Sequence, residues 1–168
     1  MLFRSDGYRQ PELDAMRQHL KDEGVMHEIV AKHDGAIRSA EGGEVQADKS
    51  YVTAASVLYD ALLIPGGQAH LNTLKGHGDA RHFINEMFRH CKPIGATSEG
   101  VDLLMHAQLP ALNLPNAQTT GQVLSERGVV TWRGDTKATG IKAFGDAFIA
   151  AIAQHRHWDR PQKDEVPA

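Results

Sequence analysis

Apolar positions along the chain follow two rhythms, one of three and four residues and one of short unbroken runs. Leu13, Met16 and Leu20 keep the first rhythm, the spacing of one helix face. Pro11-Glu12-Leu13-Asp14 opens that helix with proline in its first turn and acids near the positive end of the dipole, and Gly24 stops it. Residues 25–31 then predict a short strand. Extended pieces at 36–38 and 44–46 flank Glu41-Gly42-Gly43, which predicts a glycine-turned hairpin. The clearest signal is Tyr59-Asp60-Ala61-Leu62-Leu63-Ile64-Pro65-Gly66-Gly67. An apolar run closed by Pro-Gly-Gly is the pattern of a strand buried on both faces, as in a parallel sheet. A loop follows, and residues 79–90 predict a helix with Ala80, Phe83, Ile84, Met87 and Phe88 on one side. Residues 93–96 predict a second buried strand and 99–107 a second helical stretch. Two prolines make 109–116 irregular, 128–131 predicts a third strand, and 141–154 a closing helix that buries Phe144, Phe148, Ile149 and Ile152. Alternating strands and helices predict an α/β sandwich with a mainly parallel central sheet.

Composition narrows the function classes. A chain of 168 residues holds one domain with a core of its own, so 1–168 is read as a single domain, with the polar residues 160–168 as its surface tail. Lys and Arg number 18 against 21 Asp and Glu, and a nucleic-acid binder carries a basic surplus instead. The apolar runs at 61–65 and 148–153 are far below the ~20 residues that cross a bilayer. The N-terminus lacks the pattern of a signal peptide. The single cysteine, Cys91, excludes an internal disulfide and a cysteine-based zinc site. A reducing cytoplasm is the expected compartment.

Ligands in such sheets sit beyond the carboxyl ends of the strands. Gly66-Gly67 follows one predicted strand there and Thr97-Ser98-Glu99-Gly100 the next. Bare glycine N–H groups suit an oxyanion hole, and a hydroxyl at a sharp strand-to-helix turn suits a nucleophile. The plainer reading is a turn at Gly66-Gly67 and helix capping by Thr97 or Ser98, because no histidine base stands beside either hydroxyl in the sequence. Cys91 reads as a small, semi-buried residue at a helix terminus. His82, Glu86 and His90 stand four apart along one helix face, a spacing that also suits a divalent metal. A solvated face is the default there. His155-Arg156-His157-Trp158 predicts a surface turn, with Trp158 anchoring the tail.

A family resemblance covers nearly the whole chain, from Asp6-Gly7 to Ala168, and no single motif carries it. The segment from Tyr59 to Gly67, then His82-Phe83-Ile84-Asn85-Glu86-Met87-Phe88-Arg89-His90-Cys91-Lys92-Pro93-Ile94-Gly95-Ala96, resembles the C-terminal domain of large-subunit catalases. The run from Ala150 to Arg160 and the ending Val166-Pro167-Ala168 are similar to the way those catalases close. That domain belongs to the class I glutamine amidotransferase-like superfamily of PfpI proteases, which implies a flavodoxin-like three-layer sandwich. Active relatives use an elbow cysteine helped by a carboxylate. Here the resemblance puts Glu12 in the place of the helping acid and Thr97 in that of the cysteine, leaving Glu12, Gly66, Gly67, Thr97 and Ser98 as a degenerate pocket. A threonine hydroxyl without a base is a poor nucleophile.

Haem, in this family, is held by an upstream catalytic core, so no cofactor is expected in this chain. The spacing Arg4-x-x-x-Tyr8 mimics a proximal haem ligand and is read as coincidence. The resemblance therefore implies a domain that is non-catalytic by itself, with a stabilising, assembly or binding role in hydrogen peroxide defence. Its expected partners are further copies of itself and a catalase core. The alternative is a small PfpI-like hydrolase or glyoxalase-type enzyme using Thr97 or Ser98 with Glu12. The family's first strand is a full apolar run, whereas only Met1-Leu2-Phe3-Arg4-Ser5 precedes Asp6 here. Shortening an inner strand leaves its neighbours poorly paired, so either the short strand suffices or the chain is a truncated descendant or fragment of a larger catalase.

Overall fold

The computed structural model describes residues 1–117, 119–134, 138–160 and 165–166. The strands are β1 (Leu2–Arg4), β2 (Ile29–Ala31), β3 (Gly35–Arg38), β4 (Glu44–Ala47), β5 (Lys49–Ser50), β6 (Leu62–Ile64), β7 (Ile94–Thr97), β8 (Val123–Glu126) and β9 (Val129–Trp132). The helices are α1 (Gln10–Asp22), α2 (Gln68–Lys75), α3 (Gly78–Arg89), α4 (Gly100–Ala107) and α5 (Ala138–Ala153). Seven strands form one sheet in the order β5-β2-β1-β6-β7-β9-β8, parallel throughout except for the β8–β9 hairpin. β3 and β4 form a separate antiparallel ribbon.

Each central strand is buried on both faces because helices cover both. Leu2, Leu63, Val130 and Trp132 pack with Leu13, Met16, Phe144 and Phe148, from α1 and α5. Phe3, Leu62, Ile64, Ile94 and Ala96 pack with Leu71, Phe83, Ile84, Met87 and Leu104, from α2, α3 and α4. Neighbours in sequence such as Leu62 and Leu63 thus fall in opposite layers, as the two-residue period of a strand requires. The expected three-layer sandwich is observed.

The short first strand is bonded on both sides. Leu2 N–H donates to Glu28 O at 2.7 Å, and Leu63 N–H to Met1 O at 2.9 Å. Short as it is, β1 thus pairs with both β2 and β6. Three expectations change. Residues after Gly67 form α2 rather than a loop. Only Ile29–Ala31 of 25–31 is strand, and Met26 is 95% exposed. In the expected surface turn at 155–158, Trp158 is 71% exposed but His157 is buried. Two residues tie down the chain end. His157 is buried and its Nε2 bonds Ala151 O at 3.1 Å. Arg160 is buried, donates to Phe88 O at 2.6 Å and Lys92 O at 2.9 Å, and lies over the Phe88 ring. Of the tail 160–168, residues 161–164 and 167–168 lie outside the described residues, so part of the ending Val166-Pro167-Ala168 does too.

Candidate functional site

Strand order reverses between β1 and β6, and the crevice beyond their carboxyl ends is where such sheets bind ligands. Three strand-to-helix junctions meet there. The β1–α1 junction brings Arg9 and Glu12, the β6–α2 junction Gly66 and Gly67, and the β7–α4 junction Thr97, Ser98 and Glu99. All five residues expected from the sequence are thus brought together. The left-handed elbow, however, belongs to Ser98, with φ of 47°, and Thr97 is the last residue of β7.

Glu12 is buried and its carboxylate takes three donors. Thr97 Oγ1 donates at 2.5 Å, Ser98 Oγ at 2.6 Å and Gly66 N–H at 3.2 Å. Gly66 N–H also reaches Thr97 Oγ1 at 3.1 Å. Glu99 accepts Gly67 N–H at 2.9 Å and pairs with the Arg9 guanidinium through both carboxylate oxygens. Burial alone would raise the Glu99 carboxyl, but hydrogen bonds from Arg9, its own N–H and Gly67 outweigh it and hold Glu99 below its ordinary value. The packing tolerates no side chain at either glycine. A Cβ on Gly66 would stand 2.7 Å from Ser98 Cβ, and one on Gly67 2.2 Å from Gly7 O.

This arrangement restrains acyl chemistry at every position. Ser98 Oγ–H faces a carboxylate, a weak base for a hydroxyl, and shares it with Thr97. An oxyanion needs free N–H donors, yet those of Gly66 and Gly67 are taken, and Ser98 N–H donates to Trp132 O at 2.8 Å. The one histidine buried beneath this end, His70, accepts Ser5 N–H on Nδ1 at 2.9 Å. Burial, with the Arg4 charge, lowers its pKa to about 3. It is a neutral structural acceptor. Sequence reasoning passed over Arg9 and Glu99 as site residues; the only local signal was an acid beside Ser98.

The remaining candidates fall elsewhere. Cys91 is fully buried between α3 and β7, at the amino end of the sheet. His90 Nε2 contacts Glu86 at 3.2 Å, His82 stands exposed, and no group of three metal-ligating side chains occurs among the described residues. No helix among them is long and apolar enough to cross a membrane.

Haem does not fit at Arg4 and Tyr8, because both are fully buried and Arg4 lies 4.4 Å above the Tyr8 ring centroid. The large groove, about 1010 Å³, opens at the amino end of the sheet between Met1, Met26, Leu58, Tyr59, Phe148 and Ile152. Its histidine, His27, accepts from Arg17 Nε at 3.1 Å and is not free to ligate iron.

The profile of the family described as the C-terminal domain found in long catalases matches residues 4–162. The chain is 40% identical over 153 residues to catalase HPII of Mycobacterium avium, covering 89% of this chain and 20% of that protein. With catalase-2 of Bacillus subtilis it shares 36% over 155 residues, 92% of this chain and 20% of the relative. It therefore spans about a fifth of the length of these relatives. Among solved structures, Schizosaccharomyces pombe DJ-1 superposes with a TM-score of 0.73 at 19% identity, covering 91% of this chain and 96% of that one. A two-domain protein from Anabaena variabilis with DJ-1/ThiJ/PfpI-like and ferritin-like domains gives 0.78 at 16%, covering 90% and 49%. At such identities the likeness is one of fold, the flavodoxin-like fold of the DJ-1/PfpI proteins.

Proposed function

The chain belongs to the family of C-terminal domains found in long catalases, and from that premise we propose that it is non-catalytic by itself and stabilises or assembles a hydrogen peroxide-degrading enzyme. The chain spans about a fifth of the length of the catalases it matches. The observation that carries the non-catalytic reading is the saturated elbow. Both hydroxyls there donate to Glu12, and the N–H groups of Gly66, Gly67 and Ser98 already have acceptors.

The partner we propose is the haem core of such an enzyme, with further copies of this chain where the core is absent. The contact surface is the groove rim, where Met26 and Leu58 stand exposed. A cytoplasmic location accords with the single, buried cysteine.

The test measures loss of peroxide, of an α-ketoaldehyde and of an ester or peptide substrate with purified protein, alongside thermal unfolding. The expected result is no turnover above the protein-free rate in wild type, Ser98→Ala and Glu12→Ala. Glu12→Ala strands the Thr97 and Ser98 hydroxyls at about 1 kcal/mol each, so its unfolding midpoint falls by about 4–8 °C. Turnover that disappears in Ser98→Ala at unchanged stability would make the chain a PfpI-like hydrolase or glyoxalase-type enzyme instead.

A further inference from the structure

Arg4 is the last residue of β1 and its side chain is completely buried on the sheet face covered by α1. None of its three guanidinium nitrogens has a hydrogen-bond acceptor. Among the described residues no carboxylate lies within ion-pair distance of it. The guanidinium carbon lies 4.4 Å from the Tyr8 ring centroid, stacked on the ring face, and the Tyr8 hydroxyl is also buried and also has no hydrogen-bond partner. Burial raises the Tyr8 pKa, so the phenol keeps its proton and is a donor. Arg17 adds a second positive charge to the neighbourhood, opposed by Asp14. Two buried donor groups without acceptors therefore adjoin, and arginine stays charged at neutral pH. Buried charges in proteins are paired, and a guanidinium fork presents two parallel N–H groups to one small anion.

We propose that Arg4 and Tyr8 form an internal site for a small monovalent anion, a halide or a planar oxyanion the size of formate or nitrate. The guanidinium fork binds it and the Tyr8 hydroxyl closes the coordination. Its access is through the β3–β4 ribbon, which is tied to the β1–α1 turn by Gly7 N–H to Arg38 O at 2.8 Å and Ala40 N–H to Tyr8 O at 2.9 Å. A two-stranded ribbon is the part of such a fold that opens most readily.

The experiment follows the unfolding midpoint of the whole chain as sodium gluconate, too large for a closed site, is replaced by chloride, nitrate or formate at constant ionic strength. The expected result is a saturable rise of about 3–5 °C at a tenfold excess over the dissociation constant. Arg4→Met should abolish that rise and be at least as stable as wild type in gluconate. Nitrate and formate outdoing chloride identifies the planar fork as the recognition element; the reverse order identifies a halide site. Equal midpoints in all four salts overturn the proposal and assign the locus to internal water. Should Arg4→Met fail to fold, chloride NMR line broadening on the wild type decides. Broadening relieved by nitrate or formate supports the site, and the absence of specific broadening refutes it.

Discussion

Glu12 and His70 are both buried at the carboxyl end of the sheet, and they meet burial in opposite ways. Glu12 accepts from Thr97, Ser98 and Gly66, whereas His70 sheds its charge. Its folded pKa of about 3 lies below the ordinary 6.5. The unfolded chain therefore binds the extra proton between those values. His70's contribution is complete above pH 6.5 and declines as pH falls toward 3. Between pH 7.5 and 5.5 it should remove about 1.4 kcal/mol of stability. His70→Asn keeps an acceptor near the Nδ1 position, so urea unfolding at the two pH values should show a smaller decline by that amount; equal declines would refute the assignment. Strand ends and glycines mark Gly66, Gly67, Thr97 and Ser98 as one crevice, and the family resemblance adds Glu12. The sequence could not disclose Arg9 against Glu99, a pair ninety residues apart, nor that Ser98 rather than Thr97 takes the elbow. That choice turns on which residue ends β7.

Element by element, strong periodicity was legible and short polar elements were not. α3 and α5 bury wide apolar faces and were read nearly to their ends. The stretch that forms α2 has the pattern of a loop because its eight residues hold only Leu71 and Leu74 as apolar core positions, with His70 as a polar residue turned inward. β8 was missed because Val123–Glu126 is only partly buried at the sheet edge, which leaves no apolar run to read. Flanking glycines explain how α2 can start so abruptly. Gly67 has φ of 130°, and a Cβ there would strike Gly7 O and Tyr8 Cα, both backbone. Gly67→Ala should therefore destabilise the chain by more than ~2 kcal/mol, since neither neighbour can rotate away. Gly78, at the start of α3, meets nothing within 4 Å. Gly78→Ala should stabilise by about 0.5–1 kcal/mol through helix propensity and a less flexible unfolded chain. Chemical unfolding of the two variants checks both signs; a mild Gly67→Ala would mean that the β1–α1 and β6–α2 turns are less tightly locked than their contacts imply.

At the scale of the whole molecule the two ends of the sheet differ. The carboxyl end is closed by the chain's own groups, with Arg9 and Glu99 across the glycines and Glu12 beneath the hydroxyls. The amino end is open, a groove with Met26 95% and Leu58 61% exposed at its rim. Large apolar side chains gathered at one groove favour association over solvation. If the fold serves assembly, its binding surface should lie at this open end, away from the degenerate crevice. The isolated chain should then self-associate there, most simply as a two-fold dimer. Light scattering across a concentration series should show the average mass rising above the 18.4 kDa of one chain. Met26→Asp combined with Leu58→Asp should hold it at that value. Because both side chains are exposed, the pair should shift the unfolding midpoint little in the monomer, so a loss of association separates from a loss of folding. Equal masses for variant and wild type at every concentration would remove the groove as the contact surface. They would leave the closed crevice and the helix faces as the places where a catalase core must be sought.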